Sequence, residues 1–234
     1  MIIGSGLLAT AFGPHYAHTT GIVIYAAGVS NSTCTDTHEY ERERSRLSKA
    51  LTTYATADAF VYFGTCSVFD PTTHCSHYVQ HKLAMERLVA QHPSYVIARL
   101  PQVAGKAQNP HTLLNFLYSN VVNRVPFTVY KHATRNIVDV DDIVAIVRAL
   151  LDNRQARKIT VNIANSLNCE IPKLVAIMEQ ITGNPALTNI VDRGCSYEID
   201  TTAISTIVDK LGIDFNHNYM ERVIQKHYGK SQPQ

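Results

Sequence analysis

The chain opens on Met1-Ile2-Ile3 and passes at once into Gly4-Ser5-Gly6-Leu7-Leu8-Ala9, a junction that constrains the fold more than any other stretch. A short β-branched run that breaks at two glycines and continues with a helical apolar pattern is a strand, a turn and a helix. The first glycine permits a tight turn. The second lets backbone approach a pyrophosphate lying against the amides of a helix N-terminus, and Ala9 keeps helix and strand close. A plain strand-to-helix turn uses the same residues, so the motif has to be weighed with the segment after it.

That segment is unusual. In an ordinary dinucleotide fold, a second strand ends about 20 positions on in an acidic residue that binds the adenosine ribose. Here the next strand, GIVIYAAG from residue 21, already reads as a later strand of the sheet. No Asp or Glu precedes Asp36 and no Lys or Arg precedes Arg42, so no arginine lies close behind the turn to meet a 2′-phosphate. The second and third strands are therefore expected to be missing. In the strand order 3-2-1-4-5-6 those two form one edge, so the remaining sheet stays contiguous while the adenine pocket is reduced.

Further along, β-branched runs alternate with amphipathic stretches. Strands are expected at 1–3, 22–26, 59–63, 95–99 and 160–163. Helices are expected at 38–55, after Val79, at 141–151 with acidic residues in the first turn, and at 171–182 with Gly183 as C-cap. This pattern predicts an α/β protein: a Rossmann-like, doubly wound parallel sheet truncated at one edge, with a small C-terminal substrate lobe. Residues 1–100 would form the dinucleotide-binding core and 101–228 a substrate lobe interleaved with the last strands, with 229–234 a disordered tail. A chain of 234 residues that is 45% hydrophobic is long enough for one core and a small appended lobe.

Composition removes several classes of function. With 21 basic and 19 acidic side chains there is no bulk electrostatic case for nucleic acid or a membrane surface. The five cysteines are scattered, odd in number and never in a Cys-x-x-Cys pair, which points to a reducing compartment. MIIGSGLLATAF has no basic n-region and breaks early at glycines, so no signal peptide is expected. No apolar run approaches the roughly 20 residues of a membrane span. The expectation is a soluble cytoplasmic protein.

The stretch THCSHYVQHKLAME (73–86) supports two chemistries. His74, Cys75, His77 and His81, with Cys66 nearby, suggest a zinc site and a metal-dependent hydrolase. No Cys-x-x-Cys or His-Glu-x-x-His spacing is present, however, and Asp70-Pro71-Thr72-Thr73 is turn chemistry, so exposed polar histidines and no metal are expected. Tyr78 and Lys82, four apart, share one helical face. An ammonium beside a phenol lowers its pKa from about 10 towards the working range, making Tyr78 a general acid/base for a sugar or alcohol oxygen. Ahead of the pair lies AFVYFGTCSVF, a strand ending in the hydroxyl of Thr65.

Taken in order, GSGLLA, YAAGVS, YFGTCSVFDP, YVQHKLAMERL, IARLPQVAG, RNIVDVDDIV and VNIANS resemble successive blocks of the extended short-chain dehydrogenase/reductases. These are NAD(P)-dependent nucleotide-sugar epimerases, dehydratases and 4-keto reductases. The resemblance implies that Thr65 bonds the reacting oxygen, Tyr78 moves its proton, and Lys82 holds the cofactor ribose and tunes Tyr78. It places Gly4, Gly6, Leu7, Leu8, Ala26, Ala27 and Gly28 along NAD or NADP, with Pro101 and Val103 near the nicotinamide. Cys66, Ser67, Gln102 and Arg135 would meet the nucleotide-sugar substrate, Arg135 at its diphosphate. An ion pair of Arg135 with Asp139 or Asp141 is the structural alternative, and Asp141 and Asp142 read as first-turn helix residues.

Departures shape the expectation. Thr65 and Tyr78 are closer in sequence than is usual in the family, so a loop beside the substrate is trimmed. No tetrad Asn is identifiable in HEYERERSRLSKAL. Cys66 and Ser67 stand where the family's 4,6-dehydratases carry an Asp and a Glu, which disfavours dehydration. The expected activity is that of an epimerase or 4-keto reductase of surface polysaccharide biosynthesis, with unusual dinucleotide binding. The rival is a catalytically degenerate binding or regulatory protein on the same fold. The family dimerises through the helices placed here at 38–55 and 78–91, which leaves a homodimer open. Glu39, Glu41, Arg42, Glu43, Arg44, Arg46 and Lys49 nevertheless give the first helix a solvated outer face.

Overall fold

The computed structural model describes residues 1–106, 109, 112–152 and 157–229. Of the tail expected at 229–234, everything beyond Gly229 lies outside the described residues. In chain order the first half comprises β1 (Ile2–Ile3), α1 (Leu7–Tyr16), β2 (Ile22–Tyr25), α2 (Thr37–Thr53), β3 (Ala59–Thr65), α3 (His77–Val89), β4 (Tyr95–Leu100) and β5 (Gln102–Ala104). The second half comprises α4 (Leu113–Val122), β6 (Phe127–Tyr130), β7 (Thr134–Arg135), β8 (Ile137–Asp139), α5 (Val140–Asp152), β9 (Ile159–Asn162) and β10 (Cys169–Glu170). It ends with α6 (Ile171–Thr182), β11 (Thr188–Val191), α7 (Ser205–Leu211) and α8 (Tyr219–Tyr228).

The central sheet runs β1-β2-β3-β4-β9, with every neighbouring pair parallel. Side chains alternate across it, as a strand buried on both faces requires. Val23, Tyr25, Phe60 and Tyr62 point towards α2 and α3 and join Leu47, Met85 and Val89 in one core. Ile24, Val61 and Phe63 point the other way and pack with Phe12 and Tyr16 of α1 and with Ile143 and Val147 of α5. A further core lies beside the sheet, where Leu114 and Leu117 of α4 meet Leu174 and Met178 of α6 and Val223 and Ile224 of α8. The sheet is thus contiguous without the two outer strands, and two-residue β1 is left as its edge. Among the described residues, no helix is long and apolar enough to cross a membrane.

The first crossover differs from its successors. β2-α2-β3 and β3-α3-β4 each step one strand along the sheet, with both helices on the same face. β1-α1-β2 steps in the same direction, but α1 lies on the opposite face. Its hand is therefore opposite to that of its neighbours. Parallel crossovers are right-handed in about 98% of cases, so this link takes the rare hand. α1 keeps the face it would occupy if the chain went on to the absent strands.

Capping accounts for the helix boundaries. Asp36 accepts the His38 amide at 2.9 Å and starts α2, and Ser76 accepts the Val79 amide at 3.2 Å and starts α3. Gly183, at φ 71°, closes α6 as its position foretold. The glycine turn divides into two roles. Gly4 has φ 134°, and a Cβ there would lie 2.3 Å from the Ala26 carbonyl oxygen, so the turn abuts the end of β2. Gly6 has an ordinary extended backbone, and a Cβ there would meet nothing within 4 Å. Gly4→Ala is expected to destabilise the fold by about 2 kcal/mol or more, from backbone strain and the clash. Gly6→Ala should change stability by no more than about 1 kcal/mol, since only a helix cap is altered. Urea unfolding of the two variants checks the contrast.

Candidate active site

The candidate groups gather at the carboxyl end of the sheet, the edge at which open α/β sheets bind ligands. β3 ends at Thr65, paired in register with Leu100 of β4. The Thr65 hydroxyl accepts the Ser67 amide at 3.1 Å, which fixes the single 3-10 turn Cys66–Phe69. Because Ser76 caps α3, Tyr78 and Lys82 fall in its first two turns and on one face. Both are buried, and the Thr65 hydroxyl neighbours the Tyr78 phenol closely enough to lower its pKa.

Lys82 is engaged by a carboxylate that sequence reasoning did not assign to it. Its Nζ lies 3.4 Å from Glu43 Oε1 and 4.6 Å from the ring centroid of Tyr62. The Tyr78 phenol is raised to about 12, mainly by burial, which the Thr65 hydroxyl opposes and Glu43, Tyr40 and Cys66 reinforce. The expectation that the ammonium brings Tyr78 towards the working range is corrected. The carboxylate of Glu43 engages that ammonium, and the phenol keeps its proton at neutral pH.

Glu43 is the centre of the site and the residue that sequence reasoning misplaced. It was assigned to the solvated outer face of its helix, yet it is 2% exposed. Its carboxylate accepts from the Val29 amide at 2.7 Å, the Tyr62 hydroxyl at 2.8 Å and Lys82, and it sits 3.0 Å from Nε2 of His81. Burial alone would raise this carboxyl; Lys82, then His81, the Val29 amide and Tyr62, reverse that and hold it at about 2. For Lys82, burial lowers the ammonium against the opposing pull of Glu43 and Glu86. Gly28 is needed here, since a Cβ on it would sit 2.8 Å from both Glu43 Oε1 and Lys82 Nζ. The available signal was positional: Glu43 precedes Leu47 by four and Ala50 by seven residues, on the buried stripe of α2.

The remaining sequence candidates divide. Gly4, Ala26, Ala27 and Gly28 form one continuous surface, since Gly4 abuts Ala26 and Ala27 while Gly28 abuts Lys82. No side chain caps the first turn of α1, so its amides and the open space over Gly6 stay available to a ligand. Leu7 packs close to Gly105 and Leu8 against the sheet core, so both turn their side chains inward. Pro101 comes directly after Leu100, beside Thr65, the Gln102 amide donates to the Asn136 carbonyl at 3.1 Å, and Val103 joins the sheet core. Ser67 is half-buried next to Thr65. Cys66 is fully buried with its thiol 3.4 Å from the Arg99 carbonyl, and burial pushes it up to about 12, so it does not face a substrate.

Arg135, on β7, is half-buried and donates to the Thr134 carbonyl at 2.7 Å. The ion pair suggested for it with Asp139 or Asp141 does not form. Lys226 of α8 pairs with both at 2.6 and 2.7 Å, and His227 adds a contact to Asp139 at 3.0 Å. The metal-like residues disperse to separate partners. The His74 ring meets the Pro71 carbonyl, Cys75 is exposed, and His81, which was expected to be exposed, stacks on Tyr40 and meets Glu43. Among the described residues no group of three or more His, Cys, Asp or Glu side chains could hold a metal ion.

This geometry defines a class: a parallel α/β sheet with a glycine turn at its first strand and a Thr/Tyr/Lys set at the end of a central one. The model of the NAD dependent epimerase/dehydratase family matches residues 13–164, well over half of the chain. The chain belongs to that family. Thr65, Tyr78, Lys82 and Arg135 fall within the matched span, and the glycine turn precedes it. No curated protein matches.

Solved structures share the fold at low identity. UDP-glucuronic acid 4-epimerase from Bacillus cereus, in complex with UDP-glucuronic acid and NAD, is 19% identical with a TM-score of 0.69, over 89% of this chain and 74% of that one. UDP-glucose 4-epimerase from Thermus thermophilus, complexed with NAD, is 14% identical with a TM-score of 0.67, over 94% of this chain and 80% of that one. RMD from Pseudomonas aeruginosa, complexed with NADPH, is 14% identical with a TM-score of 0.70, over 96% of both chains.

Removing the Glu43 carboxylate leaves a buried ammonium without its partner. Glu43→Gln is expected to destabilise the protein by about 3–5 kcal/mol, and adding Lys82→Met should restore part of the loss by removing the orphaned charge. Because the folded carboxyl sits at about 2, below its ordinary 4.5, its stabilisation is complete above 4.5 and is lost as pH falls towards 2. Urea titrations of wild type and both variants between these pH values check the magnitude and the sign.

Proposed function

We propose that this chain is an NAD(P)-dependent oxidoreductase of nucleotide-activated sugars, a 4-keto reductase or epimerase, serving cell-surface polysaccharide synthesis as the family resemblance suggests. The observation that carries the reading is the buried Thr65–Tyr78 pair at the end of β3, with Lys82 one helical turn on. The nucleotide-sugar class is supported by the similar 4-epimerases, one of them solved with UDP-glucuronic acid.

The residues present fit a dinucleotide. The open space over Gly6, the uncapped amides of α1 and the small side chains of Ala26, Ala27 and Gly28 leave a path along the sheet edge. A bound nicotinamide supplies or takes the hydride. Gly4 and Gly6 would receive the pyrophosphate, and Lys82, held by Glu43, would meet the ribose. Pro101 and Val103 would stand on the nicotinamide side, and Gln102 and Arg135 would meet the substrate. Thr65 and Tyr78 hold the sugar oxygen from one side. With its pKa at about 12, Tyr78 is a proton donor at neutral pH, which favours reduction of a ketone over its formation. The buried Cys66 thiol offers no acid/base pair for dehydration.

One observation favours a second reading, a binding protein without turnover: the buried Lys82 is tied to Glu43, which restrains it. Tyr78→Phe separates the two. If the protein is an enzyme, reduction of a nucleotide-4-keto-sugar panel with NADH or NADPH falls by about 100-fold or more while dinucleotide affinity holds. No wild-type turnover on any panel member, together with ordinary nucleotide-sugar binding, supports the binder. Gly6→Ala is expected to weaken dinucleotide binding in calorimetry without a matching loss of stability.

A further inference from the structure

A cavity of about 340 Å³ opens between the loop after β2 and the first half of α2; its wall starts at Ala27 and Gly28 and continues along Glu39, Arg42 and Arg46. At about 100° per residue, these three fall on the flank of α2 opposite to Tyr40. Tyr40 stacks on His81 of α3 at 4.5 Å between ring centroids. Since α3 lies towards β3 and β4, the arginine flank looks towards β1, the edge at which the sheet is cut short. An adenosine half running on from the Gly4–Gly6 turn would ordinarily rest on a second strand at that edge. That strand is absent, and the cavity on α2 borders the vacated side.

The charges of the cavity select among occupants. Glu39 is paired with Arg42, and Glu43 is engaged by Lys82, His81, Tyr62 and the Val29 amide. Arg46 has no ion-pair partner among the described residues and is exposed at the rim. One guanidinium is left uncompensated, with no free carboxylate to accept a ribose hydroxyl. An arginine fork is suited to a phosphate dianion. The pyrophosphate already has the amides of α1, so the anion left for Arg46 is one carried on the adenosine itself.

We propose that this cavity takes the adenosine end of the cofactor and that Arg46, seconded by Arg42, grips a phosphate on its ribose, so that the chain uses NADP(H) in preference to NAD(H). The arginine missing after the glycine turn is supplied from α2. The inference rests on the dinucleotide reading above, and its test separates the two.

Calorimetric titration of the full chain with NADPH, NADH and adenosine 2′,5′-bisphosphate decides it. NADPH should bind about tenfold more tightly than NADH, as expected for one charge-assisted phosphate contact. Arg46→Ala should abolish that difference and the bisphosphate affinity while leaving stability unchanged, since the side chain is at the surface. Equal affinity for the two dinucleotides, or tighter NADH binding, overturns the proposal, as does a preference for NADPH that survives both Arg46→Ala and Arg42→Ala. If neither dinucleotide binds but the bisphosphate binds in an Arg46-dependent way, the phosphate site stands and the oxidoreductase reading falls. If none of the three binds, both fall.

Discussion

A carboxylate buried between two helices and a sheet organises the candidate site. Glu43 lies on α2, yet its partners come from the loop after β2, from β3 and from α3. A charge removed from water is tolerable only where hydrogen bonds replace its hydration, and here four groups from three other segments do so. Each of those segments is held in place in return. Val29 cannot leave without exposing its amide, and α3 cannot slide without parting Lys82 and His81 from their acceptor. Gly28 is bound to remain a glycine because the ion pair fills the volume of a Cβ. Specificity of arrangement comes from the cost of breaking any one contact, more than from net stabilisation by the pair.

The same carboxylate shapes the chemistry available to Tyr78. A lone buried ammonium one turn away would draw a phenol towards deprotonation. Here Glu43 engages that ammonium, burial is the largest influence on the phenol, and the phenol stays neutral. The result is a proton donor beside Thr65, with Lys82 constrained behind it by Glu43. The two halves of an acid/base pair are thus decoupled electrostatically while they stay coupled in space through α3.

Much of the fold was legible because it obeys short-range rules. The glycine turn, the β-branched strands, Ser76 ahead of α3 and Gly183 after α6 are local signals, and strand 160–163 missed β9 by one residue at each end. The loss of two strands was legible too, from how soon GIVIYAAG comes after the glycine turn. The interior of the site was not. On α3 the structure buries the charged Lys82 and Glu86 beside Val79 and Val89, Glu86 clasped by Arg99 at 2.7 Å. Charged residues at helical spacing read as a wet face unless their partners are known, and those partners are remote in sequence: Glu43 and Lys82 are 39 positions apart. The ion pair offered as the alternative for Arg135 failed similarly, because Asp139 and Asp141 were claimed by Lys226 of α8, 87 and 85 residues downstream.

The truncated edge and the arginine cavity are two consequences of one topological change. With both outer strands present, a chain leaving β1 would go outward through α1 and come back before entering β2, and the regular hand would be kept throughout. Without them α1 must turn directly into β2, which places a rare-handed crossover beside a two-residue edge strand. That edge offers little backbone on which an adenosine could lie. It also leaves the flank of α2 facing β1 without a neighbouring layer, so side chains there can be long, charged and turned towards the sheet edge. Arg42 and Arg46 occupy that flank, one turn apart. Deleting a binding surface and uncovering another are therefore the same event, and the glycine turn stands between the two with its amides open to both.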